Sequence, residues 1–194
     1  MTVSCICEGC MHVAAIKTFD IANGPGVRTS LFVSGCTHHC PGCFNSVAWD
    51  FAYGEPYTET TEAQILDSLK PDFIDGLSLL GGEPMEPENQ EALLALVQRV
   101  KRELPGKTVW CYSGYTLEEL TGQTPSRAKG PHTDAFLANL DVLVDGRFVE
   151  ARKDISLRFR GSSNQRILDM KASLREGKPI LWRDDPLFET HQLI

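Results

Sequence analysis

Three cysteines fall within one short stretch, "SGCTHHCPGCFN", which places Cys36, Cys40 and Cys43 in the spacing C-x3-C-x2-C. A [4Fe–4S] cluster normally takes four thiolate ligands, so three would leave one iron with an open coordination position. An open position can take a substrate, as it does in catalytic zinc sites. A zinc ion that recruits His38, His39 or a distant cysteine is one alternative, and a chance grouping is another. The spacing alone favours the iron–sulfur cluster over zinc.

A second motif, "LLGGEP" (79–84), places two glycines and a carboxylate at the end of an apolar run. Gly81 and Gly82 would let the backbone approach a ligand closely. A buried Glu83 would suit an ammonium group as its partner. The alternative is an ordinary turn with an exposed Glu83.

Apolar and helical patterns alternate along the chain and define the elements that must position these residues. Strand-like runs lie at 13–21, 27–35, 72–84, 106–115 and 141–148, and helical patterns lie at 58–70, 87–104, 116–120 and 133–140. Such alternation is typical of β-α units, and it predicts an α/β fold with a mainly parallel sheet of about four to six strands.

The polar motifs follow these predicted strands at the point where each strand ends. The cysteine loop follows one strand, "GGEP" (81–84) the next, "SGY" (113–115) the third and "DGRF" (145–148) the fourth. Ligands gather at the carboxyl ends of parallel strands. We therefore expect the four strand ends to form one site.

Length and composition limit the class of protein. The 194 residues suit one domain, expected at 13–182 between tails at 1–12 and 183–194. A net charge of −7 argues against nucleic-acid binding, which depends on neutralising phosphates. No apolar run of about 18 residues is present, so no membrane span is expected. Seven cysteines without a recognisable secretory signal indicate the reducing cytoplasm, where clustered cysteines more often bind metals than form disulfides.

Another cysteine cluster lies in the amino-terminal "CICEGCMH". Its four donors would suit a Cys3His zinc site or a second cluster: Cys5, Cys7, Cys10 and His12. The cramped spacing favours a third interpretation, a mobile tail, because chain termini are often poorly ordered.

The C-x3-C-x2-C loop and "GGEP" together resemble the radical S-adenosylmethionine (SAM) superfamily, in which the triplet binds [4Fe–4S] and SAM occupies the open iron. Four longer stretches narrow the resemblance: "NGPGVRTSLFVSGCTHHCPGCFN" (23–45), "WCYSGYTLEEL" (110–120), "DVLVDGRF" (141–148) and "RGSSNQRILD" (160–169). They resemble the activating proteins of anaerobic (class III) ribonucleotide reductase. This resemblance covers about residues 16 to 182 and implies an incomplete β/α barrel of the radical SAM type.

The resemblance implies an enzyme, an oxidoreductase that activates a glycyl radical enzyme. Its cofactors would be one [4Fe–4S] cluster per chain and SAM. Reductive cleavage of SAM would give a 5′-deoxyadenosyl radical, which removes a hydrogen atom from one glycine of the large reductase subunit. The other implied partner is an unidentified low-potential electron donor such as flavodoxin, and no nucleic-acid or membrane partner is expected.

The resemblance also implies the residues of the site. The cluster ligands would be Cys36, Cys40 and Cys43, and no catalytic residue is expected beyond the cluster and SAM. The residues implied to bind SAM are Gly42, Cys43, Phe44, Gly81, Gly82, Glu83, Ser113 and Asp145. Ser113 would touch the carboxylate or ribose of SAM, whereas Asp145 would contact either SAM or the partner protein.

Two other functions stay open. One is an activase of another glycyl radical enzyme, of the pyruvate formate-lyase type, although "DVLVDGRF" and "GSSNQR" favour the reductase activators. The other is a zinc-binding module with no catalysis. His38 and His39 lie between proposed cluster ligands and are expected to be exposed loop residues. Cys111 lies in a strand pattern and is expected to be a small buried hydrophobic residue. Four arginines would either meet an acidic patch on the partner or lie on solvated surface, and the second is expected: Arg147, Arg158, Arg160 and Arg166.

Overall fold

The computed structural model describes residues 11–184 of the chain. Within that range the strands are β1 His12–Asp20, β2 Val27–Val33, β3 Glu55–Pro56, β4 Ile74–Gly81, β5 Thr108–Tyr112, β6 Val142–Asp145 and β7 Arg166–Asp169. The α-helices are α1 Glu59–Leu69, α2 Pro87–Glu103, α3 Leu117–Leu120, α4 Thr133–Ala138 and α5 Met170–Glu176. Short 3-10 turns lie at Ser46–Trp49 and Glu150–Arg152.

The described strands form one sheet in the order β3-β1-β2-β4-β5-β6-β7. The four central strands, β2, β4, β5 and β6, pair in parallel, and the three outer strands, β1, β3 and β7, pair antiparallel. The sheet is therefore mixed and seven-stranded, which corrects the expected mainly parallel sheet of four to six strands. The tight "NGPG" turn joins β1 directly to β2, and so short a connection permits only an antiparallel pair.

Capping and first-turn residues in the sequence mark where the first three helices begin. α1 follows Thr58, whose hydroxyl accepts a hydrogen bond from the Thr61 amide. α2 has Pro87 in its first turn, where the missing amide hydrogen costs nothing. α3 begins with a capping box in which Thr116 and Glu119 satisfy each other's backbone amides. These caps fix where each helix starts after a strand-end loop.

The helices cover one face of the sheet. Side chains alternate along β5, so Val109 and Cys111 join the large core with the helices, whereas Trp110 packs on the opposite face. Cys111 is fully buried, as expected. The Trp110 ring lies 5.0 Å from the ring of Trp182 and 5.5 Å from that of Phe159. The helix-free face thus has its own smaller apolar cluster.

Residues just outside the expected domain bounds of 13–182 also pack on the fold. β1 begins at His12, and Met11 is buried in the core. At the other end Asp184 is buried and pairs with Arg158. Cys5, Cys7 and Cys10, and residues 185–194, lie outside the described residues, so the expected mobility of the amino-terminal tail stays a prediction. Among residues 11–184, no helix has the length and apolarity needed to cross a membrane.

Asp141 ties the sheet to two helices. Its Oδ2 accepts a hydrogen bond from Val109 N at 2.7 Å and pairs with Lys101 of α2, and its Oδ1 lies 3.2 Å from Nζ of Lys171 on α5. Burial raises the pKa of Asp141, but the hydrogen bonds from Lys101 and Val109 outweigh burial and leave that pKa below its usual value. The ionised form is therefore the one that stabilises the fold.

Asp141→Asn is expected to lower the free energy of unfolding at pH 7 by about 1–3 kcal/mol, because Lys101 loses its charged partner. A carboxyl whose pKa is lowered by folding contributes stability above its unfolded pKa of about 3.9, and this is lost as pH falls through the folded value. In urea unfolding, the difference in unfolding free energy between wild type and variant should shrink below about pH 4.

The control is Asp134→Asn, which removes an exposed partner of Lys129 and should cost under about 0.5 kcal/mol. An equal loss in both variants would contradict this assignment.

Candidate active site

A cleft of about 450 Å³ opens at the carboxyl ends of the four parallel strands. The loops that follow β2, β4, β5 and β6 all contribute to its walls, as the sequence predicts. The cysteine loop (residues 34–45) comes from β2 and the "GGEP" turn from β4. Seven of the eight residues predicted to bind SAM line this cleft: Gly42, Cys43, Phe44, Gly81, Gly82, Glu83 and Ser113.

The three cysteines line the same cleft and form no disulfide. Cys36 is buried, whereas Cys40 and Cys43 are partly exposed. Burial raises the pKa of the Cys36 thiol to about 11 against the opposing effect of the His38 backbone amide, which donates to its sulfur. Burial also raises the pKa of Cys40, whose sulfur accepts from the Phe148 amide. Metal binding would replace these thiol protons, and amide donors to sulfur are among the features that tune a cluster's potential.

The cysteine loop is held by backbone contacts on both sides. Gly35 N donates to Ala48 O at 2.9 Å, and Cys36 N donates to Trp49 O at 3.1 Å, which fastens the loop to the following 3-10 turn. Gly42 has a φ of +71°, a conformation that favours glycine, and a Cβ there would lie 2.7 Å from Glu150 Oε1. The segment after β6 therefore packs directly against the loop that carries Cys40 and Cys43.

Gly82 lets the "GGEP" turn pack directly against the cysteine loop. Its amide donates to Val33 O at 2.6 Å, and the Glu83 amide donates to Gly35 O at 2.8 Å. A Cβ on Gly82 would lie 2.5 Å from Gly35 O, and backbone on both sides cannot yield. The glycine requirement of "GGEP" thus has a structural cause, which is the close approach of this turn to the cysteine loop.

The Glu83 carboxylate contacts groups from several loops that line the cleft. It is 1% exposed, which excludes the exposed turn considered above. Oε1 accepts from Ser113 Oγ and from Met85 N, both at 2.8 Å. Oε2 accepts from Gly114 N at 2.7 Å and lies 3.1 Å from His38 Nε2. A carboxylate has about four acceptor positions, so an ammonium group would have to replace one of these partners.

His38 is the residue that the sequence reasoning missed. Its side chain is 2% exposed, so the expectation of an exposed loop residue is wrong for His38. The ring packs at 4.2 Å from the Tyr115 ring, and a Cβ on Gly114 would collide with it. Nδ1 is buried and has no hydrogen-bond partner among residues 11–184. His39 is exposed as expected and stacks on Trp49. Only its position between two cysteines pointed to His38.

Asp145 lies away from the cleft. Its fully buried carboxylate accepts from Leu117 N at 2.8 Å and pairs with Arg166, whose guanidinium also binds Glu118. These contacts occupy Asp145 and join β6, β7 and α3 behind the site. Arg166 is therefore a structural residue and not the solvated one expected from the sequence.

The donor set suits a cluster. Within residues 11–184 no group of three His, Cys, Asp or Glu converges tightly enough for a single metal ion. In a cubane each thiolate binds a different iron, so its ligands stand around the cluster rather than around one point. Three thiols line one open cleft, and thiolate is the soft donor that iron–sulfur clusters take.

Comparisons with known proteins agree with this chemistry. Residues 22–168 match the family model described as a 4Fe-4S single cluster domain. A Pasteurella multocida protein is 49% identical over 148 residues, which is 75% of this chain and 89% of that protein. An Escherichia coli K12 protein is 47% identical over 148 residues, covering 75% and 90%. A phage T4 protein is 35% identical over 157 residues, covering 81% and 93%. All three are named anaerobic ribonucleoside-triphosphate reductase-activating protein.

Proposed function

Because this chain belongs to the family of anaerobic ribonucleoside-triphosphate reductase-activating proteins and carries a 4Fe-4S single cluster domain, we propose that it is a radical SAM activase. Its product would be a glycyl radical on the large subunit of the anaerobic reductase. The observation that carries the proposal is the cleft, where three thiols and the Gly81–Glu83 turn meet at the ends of four parallel strands.

The chain's own residues have distinct parts in this proposal. Cys36, Cys40 and Cys43 would hold one [4Fe–4S] cluster. The residues that would hold SAM are Gly42, Cys43, Phe44, Gly81, Gly82, Glu83 and Ser113. When bound, the cluster supplies an electron and SAM supplies the 5′-deoxyadenosyl radical that removes hydrogen from glycine.

The protein contributes position and exclusion of water. Glu83 fixes the loops after β2 and β5 through His38 and Ser113, so the two walls of the cleft hold one geometry. Leu80 and Phe159 give the cleft apolar walls, which favour reactive chemistry away from water. We also propose that the sheet, with helices on one face, is the incomplete barrel of the radical SAM type, and that it leaves room for a backbone segment of the reductase.

The proposal includes an electron source and a compartment. A low-potential donor such as flavodoxin would reduce the cluster, and the thiols that bind it favour the reducing cytoplasm. In support of a protein substrate, the cleft mouth carries Ile155, which is 95% exposed. A small-molecule enzyme usually buries most of its ligand's surface.

The test is an anaerobic reconstitution. Iron and acid-labile sulfide should each reach about four per chain. Incubation with SAM, dithionite and the anaerobic reductase should give the EPR doublet of a glycyl radical and free 5′-deoxyadenosine. Samples that lack SAM, or that contain pyruvate formate-lyase instead of the reductase, are the controls. A colourless protein with stoichiometric zinc, or a doublet only on pyruvate formate-lyase, would refute the proposal.

A further inference from the structure

The connection from β6 to β7, residues 146–165, borders the mouth of the cleft. It lies against the cysteine loop, because Glu150 packs on Gly42 and Phe148 lines the same cleft as Cys40. Part of it lines the cleft itself, including Ile155 and Leu157. This segment, called the β6–β7 connection below, is therefore placed where a large substrate would meet the protein.

Two large apolar side chains stand almost fully in water at this mouth. Ile155 of the connection is 95% exposed and Phe44 of the cysteine loop is 87% exposed, and both line the cleft. Single exposed apolar residues are common on any surface. These two differ because they flank one opening, where one apolar partner surface would cover both.

The charge of the connection is opposite to that of the whole chain. Residues 147–160 contain five basic and two acidic residues, a net charge of +3, whereas the chain has −7. Arg158 pairs with Asp184, and Arg160 donates to Gln165 O. Arg147, Arg152 and Lys153 are exposed. An acidic protein thus presents a local basic surface beside its cleft.

We infer that the β6–β7 connection is the docking surface for the segment of the reductase that carries the target glycine. This inference rests on the proposed function. The apolar side chain of Ile155 would be buried against apolar residues beside that glycine. Arg152 and Lys153 would face acidic side chains of the reductase, which speeds association and sets orientation. Apolar anchors ringed by charge are the usual plan of such interfaces.

The test measures binding and chemistry separately. Ile155→Asp and Arg152→Glu are compared with wild type by anaerobic titration against the reductase, which needs no turnover. Ile155→Asp should raise the Kd for the reductase roughly tenfold or more, because the apolar side chain is no longer there to be buried. Arg152→Glu should slow association, and the deficit should fade at high salt. Iron content and SAM binding, read from the change in the cluster EPR spectrum, should stay unchanged in both.

Matched controls are Leu181→Asp, a leucine that is 66% exposed and does not line the cleft, and Arg175→Glu on α5. Both should bind the reductase as wild type does. Wild-type affinity in Ile155→Asp and Arg152→Glu would overturn the docking surface, even with a normal glycyl radical. Absence of the radical in wild type that binds the reductase would instead refute the proposed function.

Discussion

Cys43→Ala is expected to abolish both cluster binding and the glycyl radical while the protein stays folded. Cys43 is partly exposed in the cysteine loop, so its loss removes a proposed ligand without opening the core. Two remaining thiolates leave two irons of the cubane without protein ligands. Iron per chain should fall from about four to below one, and the EPR doublet should drop by at least about a hundredfold. Thermal unfolding of the metal-free protein should match wild type.

Cys111→Ala is the matched control. Its thiol is fully buried among the core residues on the helix face of β5 and does not line the cleft. The smaller side chain should cost about 1 kcal/mol of stability and leave the iron content at about four. If Cys43→Ala kept its iron and its doublet, the triplet would not be the cluster site. If both variants lost iron equally, the loss would reflect folding rather than ligation.

The arrangement of the site was largely predictable because it depends on strong local signals. Apolar runs followed by glycine-rich or cysteine-rich turns indicated β2, β4, β5 and β6 and the loops that follow them. Parallel pairing then places those loops at one edge. Helix starts were equally visible, since Thr58, Pro87 and Thr116 are ordinary capping or first-turn residues.

What the sequence did not predict depends on contacts distant along the chain. β3 has two residues and β7 has four, so neither strand is long enough to show an alternation of apolar and polar residues. The pairing of Asp145 with Arg166 spans 21 residues and removes Asp145 from the cleft. The burial of His38 depends on Glu83, which is 45 residues away. None of these partners leaves a pattern in its own segment.

Glu83→Gln carries the second large expected effect, because the four donors around Glu83 cannot all be satisfied by an amide. Two of those donors are fixed backbone amides, with Met85 N on one oxygen and Gly114 N on the other. Whichever way glutamine turns, its NH2 group faces one of them. Ser113 and His38 can reorient, but a backbone amide cannot. The free energy of unfolding should therefore fall by about 1–3 kcal/mol.

The same substitution separates two roles of Glu83. If its charge also receives the amino group of SAM, affinity for SAM should fall by roughly tenfold to a hundredfold, since a charge-assisted hydrogen bond contributes about 1.5–3 kcal/mol. Iron content should stay at about four, because the cysteines are untouched. Glu88→Gln, at a carboxylate of α2 that pairs with Arg127 at the surface, should change neither quantity. Unchanged SAM affinity in a destabilised Glu83→Gln would show that Glu83 braces the loops without touching the cofactor, and the amino group would then need the backbone of Gly81 and Gly82.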